Sequence, residues 1–238
     1  MNPSILADTM IIESTYCGPS TSGQGGYVCG LLGSYIQGPS EVTLRIPPPL
    51  DRSLEVTLTD SDHVTLMDGD TLVAEAHRVA LDLDVPAPPT CAEAHTASKD
   101  YLGFKTHPFP RCFVCGPERD EGDGLRIFPG PVPGGKMVAA PWSPYAALGD
   151  GKGLVRREFV WAALDCPGAF AAMLDQPRVI VLGKLAVEIM KDIKADACCI
   201  AIGWNIAREG RKHQTGTAVF SESDGLCARA KATWIALK

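Results

Sequence analysis

Two stretches of the chain, Glu41–Val56 (E-V-T-L-R-I-P-P-P-L-D-R-S-L-E-V) and Leu185–Ile200 (L-A-V-E-I-M-K-D-I-K-A-D-A-C-C-I), share one layout. Each has a run suited to a strand, a short break, then a second such run. In the first, Pro47–Pro49 interrupts because proline has no amide hydrogen to give a sheet ladder. A candidate helix precedes each stretch. In Gly23–Ile36, Val28, Leu31, Leu32 and Tyr35 fall at i, i+3, i+4 and i+7, which is helical spacing. Glu158–Leu174 is apolar on nearly all sides, as expected of a helix buried all round. Internal repetition decides architecture before any single residue does. The chain therefore reads as two copies of one unit, each an antiparallel sheet wrapping a central helix, an α+β fold.

The remaining elements fit this plan. Strands are expected at Thr9–Thr15, Glu41–Ile46, Ser53–Thr59, His63–Met67 and Thr71–Leu83, the last two separated by the turn residues Asp68-Gly69-Asp70. In the second copy they are expected at Gly124–Phe128, Lys136–Ala140, Lys184–Met190, Cys198–Ala207, Gly216–Ser221 and Leu226–Leu237. The proline-rich V-P-A-P-P-T at Val85–Thr90, followed by polar residues to about Lys105, reads as a linker. The expected division is a first unit over 1–85, a linker over 86–107 and a second unit over 108–238.

Composition narrows the function. The 238 residues can bury a sizeable core without cross-links. Nine cysteines, an odd number scattered through apolar segments, and a Met1–Ser14 stretch with no basic, leader-like pattern favour a reducing, cytoplasmic setting. No apolar run approaches the ~20 residues of a membrane helix. The net charge of −6 is uneven: residues 1–110 carry 5 Lys/Arg against 14 Asp/Glu, and residues 111–238 carry 17 against 14. No concentrated basic stripe suggests a nucleic-acid partner.

With this pattern the chain resembles the hotdog-fold superfamily, and specifically a tandem or double hotdog of the acyl-CoA thioesterase type. The strand–proline–strand stretch with G-D-T-L-V-A-E-A, the pair of helices, and C-F-V-C-G-P-E-R-D-E-G-D-G-L-R-I-F at Cys112–Phe128 carry the resemblance. It covers most of the chain outside the linker. In phenylacetyl-CoA-type members the resemblance implies a helix opening His-Gly-Gly, with an Asp about eight residues after the first Gly. It also implies a site split between two helices: a Gly N–H polarises the thioester carbonyl, and the Asp of the other helix activates water or attacks.

Each half of this chain keeps one component. Gln24-Gly25-Gly26 stands for His-Gly-Gly, but Gly33 occupies the position of the carboxylate. Asp165 matches the carboxylate in the second half, where Arg156-Arg157-Glu158 replaces His-Gly-Gly. One composite site is therefore expected, with Asp165 as base, Gly25 and Gly26 N–H groups with Gln24 on the carbonyl, and glycines at a helix N-terminus admitting an oxyanion. Of the Asp, Thr and Gln that the resemblance implies for long-chain double-hotdog thioesterases, the second half offers the Asp.

Arg211 and Lys212, in the basic turn Arg208–His213, are candidates to hold coenzyme A phosphates, with Arg156 and Arg157 as a second pair. The five histidines are His63, His77, His95, His107 and His213, and none falls in a central helix. That argues against the dehydratase chemistry found elsewhere among hotdog folds. Cys112 and Cys115, with Cys91 and His95 upstream, have zinc-like spacing, but they fall in the opening motif and the linker, so no metal is expected. No cofactor is expected either, coenzyme A entering only as part of the substrate. The reading is an acyl-CoA or acyl-carrier thioester hydrolase; the alternative is a non-catalytic acyl-CoA or lipid-binding protein. Exposed sheet edges could join copies into a homo-oligomer.

Overall fold

The computed structural model describes residues 7–134 and 137–237; Lys136 of the expected strand Lys136–Ala140 and the first six residues lie outside the described residues. The first unit runs β1 (Ala7–Ile11), α1 (Gly25–Gly33), β2 (Ser40–Leu44), β3 (Ser53–Asp60), β4 (His63–Asp68) and β5 (Thr71–Arg78). A helix, α2 (Cys91–Ser98), follows. The second unit runs β6 (Gly130–Pro131), β7 (Met137–Trp142), α3 (Arg157–Ala163), α4 (Cys166–Ala172), β8 (Ile180–Ile189), β9 (Cys199–Glu209), β10 (Lys212–Ser221) and β11 (Gly225–Ala236).

The repeat is exact in topology. Strands of the first unit lie side by side as β1-β3-β4-β5-β2, and those of the second as β7-β9-β10-β11-β8, with β6 added at the outer edge. The quoted stretches are thus equivalent: β2 and β3 correspond to β8 and β9. The two expected sheets meet edge to edge, β2 antiparallel to β8, giving one 11-stranded sheet. At this seam Val42 faces Leu185, both fully buried, and Lys184 Nζ reaches Glu41 Oε1 at 2.8 Å. The seam therefore combines a buried apolar pair with a surface ion pair, and the apolar pair contributes most of its stability.

The glycines of α1 have a packing reason. Gly26, Gly30 and Gly33 lie at i, i+4 and i+7 on one face, pressed onto α3. A Cβ at Gly26 would come 2.6 Å from the Asp165 Cβ, and one at Gly30 would come 2.6 Å from the Glu158 Cα. Only glycine lets the two central helices approach this closely, at some loss of helix propensity.

Three expectations need correction. The helix foreseen over Glu158–Leu174 is two short helices, α3 and α4, with a break at Leu164-Asp165. Pro167 sits in the first turn of α4, where its missing N–H costs nothing. The Leu164 carbonyl released at the break accepts the Thr217 hydroxyl at 2.6 Å. The segment read as a linker contains α2, opened by a capping box in which the Thr90 hydroxyl accepts from the Glu93 N–H and the Glu93 carboxylate accepts from the Thr90 N–H. Ala94 and Ala97 bury its inner face, and Ala94 packs with Ala139 and Ile202. Finally, Gly124–Phe128 is not a strand of the sheet. Its backbone instead pairs with the Cys112–Cys115 segment, Leu125 N–H to Phe113 O at 2.8 Å and Ile127 N–H to Val114 O at 2.9 Å.

Candidate active site

The N-terminus of α1 and the break between α3 and α4 are brought together by the glycine face described above. Asp165 lies at that break and is 3% exposed. Its Oδ2 accepts the Gly26 N–H at 2.9 Å and a hydrogen bond from the Gln24 amide. Its Oδ1 is buried with no partner among the described residues. Burial pushes the carboxyl up to about 7, with the nearby Cys112 adding to the rise; the Gly26 and Gln24 donors hold it from going further. A carboxyl tuned in this way can accept a proton from water more readily than an exposed aspartate.

Gln24 is fixed at both ends. Its Oε1 accepts the Tyr27 N–H at 2.7 Å and so caps α1, while its Nε2 donates to Asp165. This changes the expected role: with Oε1 on Tyr27 and Nε2 on Asp165, Gln24 positions the carboxylate. Gly26 is corrected likewise, because its N–H is given to Asp165. The Gly25 N–H, one residue earlier at the same helix terminus, has no hydrogen-bond partner among the described residues. It is the donor left for an oxyanion.

Gln24, Gly25 and Asp165 line a cavity of about 510 Å³. Its walls are largely apolar, including Ile46 from the first unit and Phe170, Met173, Ile180 and Leu182 from the second. This is the size and character of a pocket that encloses a small-molecule chain with a few polar groups at one end. The cavity runs across the β2–β8 seam, so neither unit could form it alone.

Among the described residues, the arginines lining the cavity are Arg45 and Arg178, neither of which was singled out from the sequence. Arg45 pairs with Glu75. Arg211 and Lys212 sit at the β9–β10 turn, where Arg211 reaches the Ala236 carbonyl at 3.4 Å, and do not line the cavity. Arg156 pairs with Glu158 at 3.3 Å and lies over the Phe159 ring at 4.6 Å, and Arg157 opens α3 away from the cavity wall. None of these four candidates lines the cavity. The signal for Arg45 was present, since it directly follows β2 within the repeated stretch; Arg178 lies in an irregular segment with no pattern to mark it.

The cysteines also differ from their sequence grouping. Cys91 lies by Cys198, 3.4 Å between sulfurs, rather than near Cys112 and Cys115. The third thiol beside Cys112 and Cys115 is Cys166, next in sequence to Asp165. On the same wall, burial pushes the His107 imidazole below its ordinary pKa. All nine cysteines are unpaired.

No family model and no curated protein sequence matches the chain. Solved structures do. The tesB protein of Mycobacterium avium subspecies paratuberculosis superposes with a TM-score of 0.66 at 11% identity, covering 98% of this chain and 93% of that one. A hot dog fold protein of unknown function from Alicyclobacillus acidocaldarius gives 0.64 at 10% identity, with coverage of 98% and 93%. A proposed oleoyl thioesterase from Lactobacillus plantarum gives 0.58 at 11% identity, with coverage of 100% and 98%. Among the described residues, no helix is long and apolar enough to cross a membrane. Full-length likeness at such low identity establishes architecture, and together with the matching strand orders of the two units it makes this chain a double hotdog.

Proposed function

We propose that the protein hydrolyses a thioester, with one composite active site per chain. The observation that carries this reading is the meeting of Asp165, from the second unit, with the α1 N-terminus of the first, at the polar end of an apolar cavity. The thioester carbonyl would lie against the free Gly25 N–H, where the positive end of the helix dipole favours developing negative charge. A water held by the unpartnered Asp165 Oδ1 would attack, the carboxylate taking its proton. The tetrahedral intermediate then collapses with departure of the thiolate, which takes up that proton. Gln24 and the Gly26 N–H keep the carboxylate facing the carbonyl throughout.

The acyl group would occupy the apolar cavity, and the thiol carrier would leave through its mouth. Coenzyme A and an acyl-carrier prosthetic group share a phosphorylated pantetheine arm, and Arg45 and Arg178 are the cations placed to meet a phosphate. Nine unpaired cysteines suit action in a reducing compartment such as the cytoplasm.

The test is thiol release from a series of acyl-CoA substrates graded in chain length. Turnover with a preference for one chain length supports the reading. Tight binding of the same acyl-CoAs without thiol release would replace it with acyl binding alone. Arg178→Ala is expected to raise KM for coenzyme A thioesters and to leave KM for short thioesters lacking the nucleotide unchanged.

A further inference from the structure

The thioesterase reading makes no use of the C-F-V-C-G motif, yet the fold builds this segment with care. Cys112 donates its N–H to the Phe109 carbonyl at 2.8 Å, and its own carbonyl accepts the Gly116 N–H at 2.9 Å. The turn is so tight that a Cβ at Gly116 would lie 2.6 Å from the Cys112 N and O and from the Pro110 O. Both cysteines of the turn, Cys112 and Cys115, are buried.

Cys166, at the start of α4, completes the group. The sulfurs of Cys112, Cys115 and Cys166 are buried and lie within 4.8 Å of one another, with Cys112 and Cys166 3.9 Å apart. Two thiolates on one tetrahedral zinc ion, each at about 2.3 Å from it, stand roughly 3.8 Å apart. A disulfide would need sulfurs at about 2.05 Å and would leave the third thiol unused.

Donors surround the cluster. His107 Nδ1 accepts the Phe109 N–H at 2.9 Å, which leaves the ring proton on Nε2, and Nε2 lies 3.4 Å from the Cys115 sulfur. Gln24 Nε2 lies 3.9 Å from the Cys166 sulfur. Hydrogen bonds from outside the ligand set to metal-bound sulfur are the usual support of such sites. All three cysteines and His107 also line the cavity.

We propose that Cys112, Cys115 and Cys166 bind a zinc ion, with His107 orienting Cys115 and the fourth coordination position facing the cavity. Thiolate donors select soft ions such as zinc over magnesium or calcium. The ion would fasten the segment between the two units to the start of α4, directly beside Asp165. The proposal does not depend on thioester hydrolysis.

The chain has its own control. Cys91, Cys198 and Glu222 also lie within 4.8 Å of one another, but at the surface and without an enclosing turn. The experiment is metal analysis of the full chain, produced with zinc and purified under reducing conditions, followed by replacement with cobalt(II). The expected result is about one zinc per chain, with intense sulfur-to-cobalt charge-transfer absorption after replacement. Cys112→Ser and Cys166→Ser should lose both signals, and Cys198→Ser should keep both. His107→Ala should retain the ion with about 10–100-fold weaker affinity. A wild-type chain that stays metal-free with its thiols reduced overturns the proposal, whether or not the serine variants fold. So does zinc that is lost in Cys198→Ser and kept in Cys112→Ser.

Discussion

Gln24 leaves neither of its amide atoms to solvent: one end caps α1 and the other holds Asp165. Its replacement by alanine should therefore have two effects. Loss of the cap is expected to cost roughly 0.5–2 kcal/mol of stability, read from a urea titration. The released carboxylate should lower kcat more than it changes KM, because both ends of the Gln24 amide are engaged within the protein. A rise in KM with kcat unchanged would assign Gln24 to substrate binding instead. At this scale the sequence was partly legible. The loss of a carboxylate at Gly33 and of the Gly-Gly pair before Asp165 pointed to one shared site. What it could not reveal was that the Gly26 N–H is given to the Asp165 carboxylate and the Gly25 N–H is left free. That division depends on a contact between residues 139 positions apart, set by helix packing. Cys166 was missed for the same reason, since it stands 54 positions from Cys112.

The elements most readable in the sequence were those with a buried face and a regular period. Strands β2 to β5 and β8 to β11 fall within a few residues of their expected places. Helix α2 was hidden because only Ala94 and Ala97 of its residues are buried, and its neighbours Val85–Thr90 carry the prolines of a linker. The break between α3 and α4 was hidden because continuous apolar composition cannot signal where a helix stops; the Thr217 hydroxyl that satisfies the Leu164 carbonyl comes from a strand much later in the chain. The glycine face of α1 carries a direct expectation. Gly30→Ala gains helix propensity but forces its Cβ against the Glu158 backbone. The overpacking is expected to dominate and to lower stability by about 1–3 kcal/mol, measured as a shift in urea midpoint. An increase in stability would mean that α1 and α3 have room between them.

At the scale of the molecule, the repeated stretches told the most, because the same strand path in both halves follows from them. The seam was less visible, as edge pairing of β2 with β8 has no mark in either strand alone. One continuous sheet with a cavity across its seam should unfold as a unit. All four tryptophans, Trp142, Trp161, Trp204 and Trp234, belong to the second unit, so their fluorescence reports that unit while far-ultraviolet circular dichroism reports both. The two denaturation curves are expected to coincide; separate midpoints would show the units to be independent. Leu185→Ala, which empties the buried side of the seam, is expected to cost about 2–5 kcal/mol and to shift both curves together.

The central claim is that Asp165 performs chemistry on a thioester held at the α1 N-terminus. The most direct measurement compares wild type with Asp165→Asn on the preferred thioester at saturating concentration, with binding of the intact substrate followed in parallel. The asparagine keeps the shape and an acceptor for Gly26 but cannot take a proton from water. The expected result is retained binding and a fall in kcat of about 10²–10⁴-fold; equal turnover by the two proteins would contradict the account.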